Sequence, residues 1–217
     1  MSKINGQITR LGVMGGTFDP IHYGHLQAAE GARKELDLDR VLFIPAGRPP
    51  HKKFGAVASP WQRYMMTGLA IESNDYFQLC DMELEGDQPS YTIDTVKALL
   101  GLYTGVQIFF ITGADAILEI GTWKKAAELL SLCRFVAIAR PGYSMDKIWS
   151  IAEAFVINPE ERIVGLGIPT PDISSTEIRK RLQRGKTVKY MLPDQVIDFI
   201  TEQGLYRGSL PVKPQLG

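Results

Sequence analysis

Two of the chain's three histidines, His22 and His25, stand three positions apart in GGTFDPIHYGH, residues 15–25. On a helix that spacing puts both imidazoles on one face. Ahead of them the pair Gly15-Gly16 closes the apolar run ITRLGVM, and Gly24 between them carries no side chain, leaving room for a bulky ligand. A strand, a glycine turn and a helix start together bring phosphate oxygens against bare backbone N–H groups and the positive end of a helix. Imidazoles beside such a turn can donate hydrogen bonds to phosphate oxygens as charge builds there. Plainer readings exist: a glycine pair after a strand is often a tight turn, and a histidine on a helix is often part of the packing. The dinucleotide pattern G-x-G-x-x-G is absent, and no Gly-Lys-Ser/Thr follows as in a Walker A loop. Metal binding needs a third ligand, which no H-E-x-x-H or neighbouring cysteine supplies.

A second polar cluster lies far along the chain, in ISSTEIRKRL, residues 173–182. Ser174 and Glu177 have capping-box spacing, and on the helix that follows Ile178 and Leu182 face the core. Such a helix with a solvated basic face needs no further role. Yet the hydroxyls of Ser175 and Thr176, free N–H groups and Arg179 one turn in also suit a polyphosphate. The two clusters together read as the two ends of one nucleotide site.

The elements that must position them alternate regularly. Six apolar runs read as strands: ITRLGVM, RVLFIPA, FQLCDMEL, VQIFFIT, RFVAIAR and RIVGLGI. Between most of them lie stretches with helical spacing. The clearest starts at Ser59-Pro-Trp-Gln62, a capping box with proline at the first helical position, and another runs from Pro193 to a stop at Gly204. This alternation predicts an α/β fold: a Rossmann-like, doubly wound, mostly parallel sheet with helices on both faces. In such a sheet ligands sit at the carboxyl ends of the strands, where strand order reverses. The pattern predicts one domain over residues 1–207, a disordered tail over 208–217, and a mobile Pro/Gly/Lys-rich loop over 46–58.

The totals set bounds. The 217 residues are 45% apolar, enough for a sizeable core, and Lys+Arg and Asp+Glu balance at 24 each. No net field draws the surface to nucleic acid or anionic lipid, so any anion site is local. Cys80 and Cys133 form no C-x-x-C pair, which argues against a disulfide framework or structural zinc. With no signal-like or membrane-spanning run, the expectation is a soluble, cytoplasmic protein.

His22-Tyr-Gly-His25 matches the H-x-G-H signature of the nucleotidyltransferase superfamily, and ISSTEIR resembles its second motif. The finer resemblance is to the bacterial nicotinate mononucleotide adenylyltransferases. PPHK (49–52), PSYT (89–92), ITGAD (111–115), TW (122–123), RPG (140–142) and GLY (204–206) resemble that family in content and order, from about residue 10 to 207. In Trp123-Lys124-Lys125 the chain has lysine where an aromatic residue often follows the tryptophan in that family.

The resemblance implies transfer of AMP from ATP to nicotinate mononucleotide, giving deamido-NAD and pyrophosphate. It implies that Gly15, Gly16, Thr17 and Phe18 line the junction of the two substrates, with Gly24 beside ATP. His22 and His25 contact ATP phosphates, His25 as transition-state stabiliser, while Ser175, Thr176 and Arg179 hold the β and γ phosphates. Gly113 and Asp115 meet the adenosine; Tyr91, Thr92 and Trp123 form the nicotinate pocket; His51 and Lys52 close over phosphate. For Trp123 the alternative is core packing, and for Asp115 a helix cap. Asp19 shapes the turn with Pro20 rather than binding metal, and Mg2+ arrives on ATP. PSYTIDT reads as a helix start capped by Ser90 or Thr92, whose N–H groups favour a carboxylate over a carboxamide, although Asp87 and Asp94 lie nearby. Monomer and homodimer are both compatible. The rival readings are a sister transferase acting on phosphopantetheine or using CTP, and a nucleotide-binding regulator without turnover.

Overall fold

Continuous apolar runs of Val, Ile, Leu and Phe suit strands covered on both faces, and the six runs do become six strands. In the computed structural model, which describes residues 8–48, 57–84, 89–139 and 144–207, they are β1 (Arg10–Gly16), β2 (Arg40–Pro45), β3 (Phe77–Leu79), β4 (Gln107–Gly113), β5 (Arg134–Ile138) and β6 (Ile163–Leu166). Every pairing is parallel, in the order β3-β2-β1-β4-β5-β6. β3 is shorter than the run FQLCDMEL predicts: it borders only β2, and pairing ends at Leu79.

The helices are α1 (Tyr23–Glu35), α2 (Pro60–Ile71), α3 (Thr92–Leu102), α4 (Ala114–Leu118), α5 (Ala126–Leu132), α6 (Met145–Ala152), α7 (Pro159–Arg162), α8 (Ser175–Gln183) and α9 (Asp194–Glu202). They divide the core in two. One apolar cluster joins α1, α2, α8 and α9 to alternate residues of the strands, such as Met14, Phe43, Phe109 and Val136. The other joins α3 to α6 to the opposite face, through Leu11, Val13, Phe110 and Phe135. β1 and β4 are neighbours although far apart in sequence, and the chain runs outward in opposite directions on either side of them. That reversal leaves a crevice above their carboxyl ends. Among the described residues no helix is long and apolar enough to cross a membrane.

The capping signals are kept unevenly. At α2 the Gln62 N–H donates to Ser59 Oγ (3.2 Å), and the Ser59 N–H donates to Gln62 Oε1 (2.9 Å), as its sequence predicts. At α8 only half of the expected box forms: Ser174 Oγ accepts from the Glu177 N–H (3.2 Å), while the Glu177 carboxylate pairs with Arg181. At α3 neither Ser90 nor Thr92 caps. Tyr91 is the N-cap and its side chain caps nothing, because Ser90 lies one residue too early and accepts instead from the Arg48 N–H (3.4 Å).

Candidate active site

Both glycines that end β1 sit in the crevice. A Cβ at Gly15 would lie 3.2 Å from the Phe110 ring, and one at Gly16 3.0 Å from the Phe18 ring, so bare backbone is what fits. Phe18 takes a left-handed backbone (φ 48°) and turns the chain toward α1. His22 is the N-cap of α1, and its N–H donates to His25 Nδ1 at 3.2 Å. The two rings stack with centroids 3.8 Å apart. Gly24 serves this stack as well as any ligand, since a Cβ there would press to 3.0 Å on the His22 ring.

Burial holds both imidazoles neutral. His22, 6% exposed, is pushed down from 6.5 to about 4. His25 is lowered well below 6.5, by burial first and by the charge of His22 second. Because His25 Nδ1 accepts a hydrogen bond, its neutral ring carries the proton on Nε2 and offers a donor there. His22 Nδ1 is buried without a hydrogen-bond partner among the described residues.

The second cluster meets the first across the whole length of the chain. Ser175 donates its hydroxyl to the Pro20 carbonyl at 2.8 Å, and Arg179 Nη1 donates to the Asp19 carbonyl at 2.6 Å. The Ser175 hydroxyl proton is therefore committed to structure, and its backbone N–H opens α8. Thr176 Oγ1 accepts from Arg179 Nη2 (3.3 Å), leaving its own hydroxyl proton available. His22, Gly24, His25, Gly113, Asp115, Ser175, Thr176 and Arg179 all line one cavity of about 650 Å³. Asp115 lies in the first turn of α4, whose N-cap is Gly113, so it is a helix-start residue and a cavity residue at once.

A second cavity, about 210 Å³, opens on the other side of Gly15, Gly16 and Thr112, which line both. Thr17, Tyr91, Thr92 and Trp123 line it as well. Trp123 stands edge-on to Phe110 and Phe135, at 6.0 and 5.8 Å, so it is packed into the core and also forms a wall. Asp94 faces Lys124 at 2.9 Å. His51, Lys52 and Asp87 lie outside the described residues, as do most of the loop 46–58, all of RPG (140–142), and residues 208–217.

Several residues of the site have no role assigned from the sequence. Thr170, Pro171 and Ile173 wall the larger cavity, and Glu83 and Lys124 the smaller. Burial raises the Glu83 carboxyl against the pull of its hydrogen bonds to Thr95 and Ser90. Arg63 and Tyr206 stand behind the site. Arg63 is fully buried and donates to the carbonyls of Thr17 (2.7 Å), Gly47 (3.0 Å) and Ala58 (3.3 Å). Tyr206 Oη donates to Asp19 at 2.6 Å, and the Asp19 carboxylate also accepts from the N–H groups of Val57 (2.9 Å) and Ala58 (3.2 Å). A signal for Arg63 did exist: it falls in register with Met66, Thr67 and Ala70 on the buried face of α2, where an unpartnered charge would be costly.

The cytidylyltransferase-like family model matches residues 13–181. A protein of Moorella thermoacetica described as a "Probable nicotinate-nucleotide adenylyltransferase" is 48% identical over 202 residues, covering 93% of each chain. One of the same description from Desulfitobacterium hafniense is 45% identical, covering 94% of this chain and 99% of its own. Among solved structures, the nicotinic acid mononucleotide adenylyltransferase of Plasmodium falciparum complexed with NaAD superposes with a TM-score of 0.75 at 23% identity. That match covers 91% of this chain and 97% of the other, and supports the fold.

Proposed function

The chain belongs to the cytidylyltransferase-like family and, within it, to the nicotinate-nucleotide adenylyltransferases, which transfer AMP from ATP to nicotinate mononucleotide and release pyrophosphate; on that footing we propose how its residues divide the work. The observation that carries the assignment is the pair of cavities meeting at Gly15, Gly16 and Thr112, with imidazoles on one side and an aromatic wall on the other. ATP takes the larger and the mononucleotide the smaller, so the α-phosphorus and the attacking phosphate come together over bare backbone.

The mononucleotide's phosphate has a second pKa of about 6 and is already largely dianionic at neutral pH, so no general base is needed. One of its oxygens forms a bond to the α-phosphorus as the bond to the β-bridging oxygen breaks, and pyrophosphate leaves with that electron pair. The protein's task is alignment and stabilisation of the departing charge. His25 donates from Nε2 to a phosphate oxygen, and His22, in the tautomer that carries its proton on Nδ1, donates to another from there. Arg179, the Thr176 hydroxyl and the N–H groups opening α8 hold the β and γ phosphates. Gly113 and Asp115 meet the adenosine, the latter through ribose hydroxyls. Trp123 and Tyr91 enclose the pyridine ring, and the N–H groups after Tyr91 favour its carboxylate. We assign Mg2+ to the phosphates of ATP; among the described residues no three His, Cys, Asp or Glu are grouped to hold a metal ion. Cys80 and Cys133 are free thiols, which suits the cytoplasm.

Pyrophosphate release from ATP, measured with each of nicotinate mononucleotide, nicotinamide mononucleotide and phosphopantetheine, tests the assignment. The acid mononucleotide should exceed the amide in kcat/KM by roughly tenfold to a few hundredfold, the scale of one or two unpaired donors. Turnover with phosphopantetheine, or only with CTP in place of ATP, would overturn it.

A further inference from the structure

Lys124 has no part in the chemistry above, yet its side chain lines the smaller cavity beside Tyr91 and Trp123. Its ammonium lies 4.2 Å from the centre of the Tyr91 ring and 2.9 Å from Asp94 Oδ2. The lysine and aspartate side chains of that pair are 42% and 60% exposed, so the pair is well hydrated and contributes little to stability. An ammonium held so loosely can exchange one carboxylate for another. Glu83, the acidic residue lining the same cavity, is already engaged by the Thr95 hydroxyl at 2.5 Å. Lys124 is therefore the cation of this cavity among the described residues.

We propose that Lys124 is a specificity-determining residue: its ammonium leaves Asp94 and takes the pyridine carboxylate of the acid mononucleotide. The inference rests on reading the smaller cavity as the mononucleotide site. The two candidate heads differ in charge as well as in hydrogen bonding. A nicotinate head pairs a pyridinium with a carboxylate and is neutral overall; a nicotinamide head is a cation. The start of α3 offers N–H groups, which attract the carboxylate but repel the amide form only through its NH₂. A lysine beside the Tyr91 ring attracts the first head and opposes the whole of the second, which is how a site gains discrimination by repulsion as well as by attraction.

The test uses three variants of the full chain, each with kcat and KM measured for both mononucleotides. Lys124→Met keeps the apolar stem over Tyr91 and removes the charge. It should lower kcat/KM for the acid by roughly tenfold, mainly through KM, the scale of one charge-assisted contact. It should also raise kcat/KM for the amide, so that the ratio of the two falls further. Lys124→Arg should retain most of the preference, and Asp94→Asn, which frees the ammonium, should lower KM for the acid. An unchanged acid-to-amide ratio in Lys124→Met, or equal losses with both mononucleotides, would overturn the role of Lys124 while leaving the assigned reaction intact. Wild-type enzyme that adenylylates neither mononucleotide would overturn that reaction and the inference with it.

Discussion

At the scale of single residues, the histidine pair is the feature with the clearest consequences. His25→Ala removes the Nε2 donor and should lower kcat by about 10²-fold or more, the cost of one preorganised transition-state donor. It also frees the His22 N–H, a capping loss of about 1 kcal/mol, so the melting temperature should fall by only a few degrees. An early-melting variant with normal turnover would make His25 a packing residue. The buried imidazoles also tie stability to pH. His22 titrates at about 4 in the folded chain against 6.5 when unfolded, so between those values the unfolded state binds a proton that the folded state refuses. This contribution to stability is whole above pH 6.5 and is lost as pH falls, reaching about 3 kcal/mol by pH 4. Thermal melts of unliganded protein from pH 7 to 5 should therefore fall more steeply for wild type than for His22→Gln. The spacing of His22 and His25 was enough to predict a shared face. Their stacking, their neutrality and the need for Gly24 beneath the His22 ring depend on burial, which spacing does not reveal.

At the scale of elements, the central strands were legible because they are covered on both faces, so that apolar character runs unbroken along them; β3, at the edge and partly exposed, is shorter than its run predicts. The helix starts were less so. Ser59 and Gln62 form their box because α2 begins in the open; Glu177 turns to Arg181, a partner one helical turn on, and α3 opens on Tyr91 with no side-chain cap. Asp94, a concern for any carboxylate bound near α3, is partnered by Lys124. The larger omission was the role of α2, a helix whose composition reads as an ordinary amphipathic one. Arg63 makes it the clamp that joins the glycine turn to both ends of the segment between Gly47 and Ala58. Arg63→Met keeps much of the volume but strands three carbonyls, which should destabilise the protein by roughly 2–4 kcal/mol. Urea denaturation gives the value, and a change below about 0.5 kcal/mol would mean that the carbonyls find other partners.

At the scale of the whole molecule, the strand order that puts β1 beside β4 creates the site, and the motifs do no more than furnish it. A doubly wound sheet with a reversal of strand order could be expected from the alternation of strands and helices, but the closure behind the site could not. Tyr206, near the end of the described chain, reaches back to Asp19, which in turn lies 3.9 Å from Arg179 and bonds it through its carbonyl. No local pattern marks a contact across 187 positions. Tyr206→Phe should cost about 1–3 kcal/mol by removing one donor from a buried carboxylate. It should also raise KM for ATP, because Arg179 leans on the same aspartate; an unchanged KM would confine Tyr206 to stability.

The wall common to both cavities bears on what happens after the reaction. On the proposed placement each substrate occupies one cavity and can leave alone, but deamido-NAD is the two of them joined and must let go of both cavities at once; Gly15 and Gly16 line both. When one half detaches, the tether keeps it near at an effective concentration in the millimolar range, and rebinding competes with escape. Product should thus be held more tightly than either fragment, and its departure should govern steady-state turnover. Rapid-quench kinetics should then show a burst close to one equivalent of pyrophosphate per site before the linear phase, and a linear course from the start would place the slow step earlier.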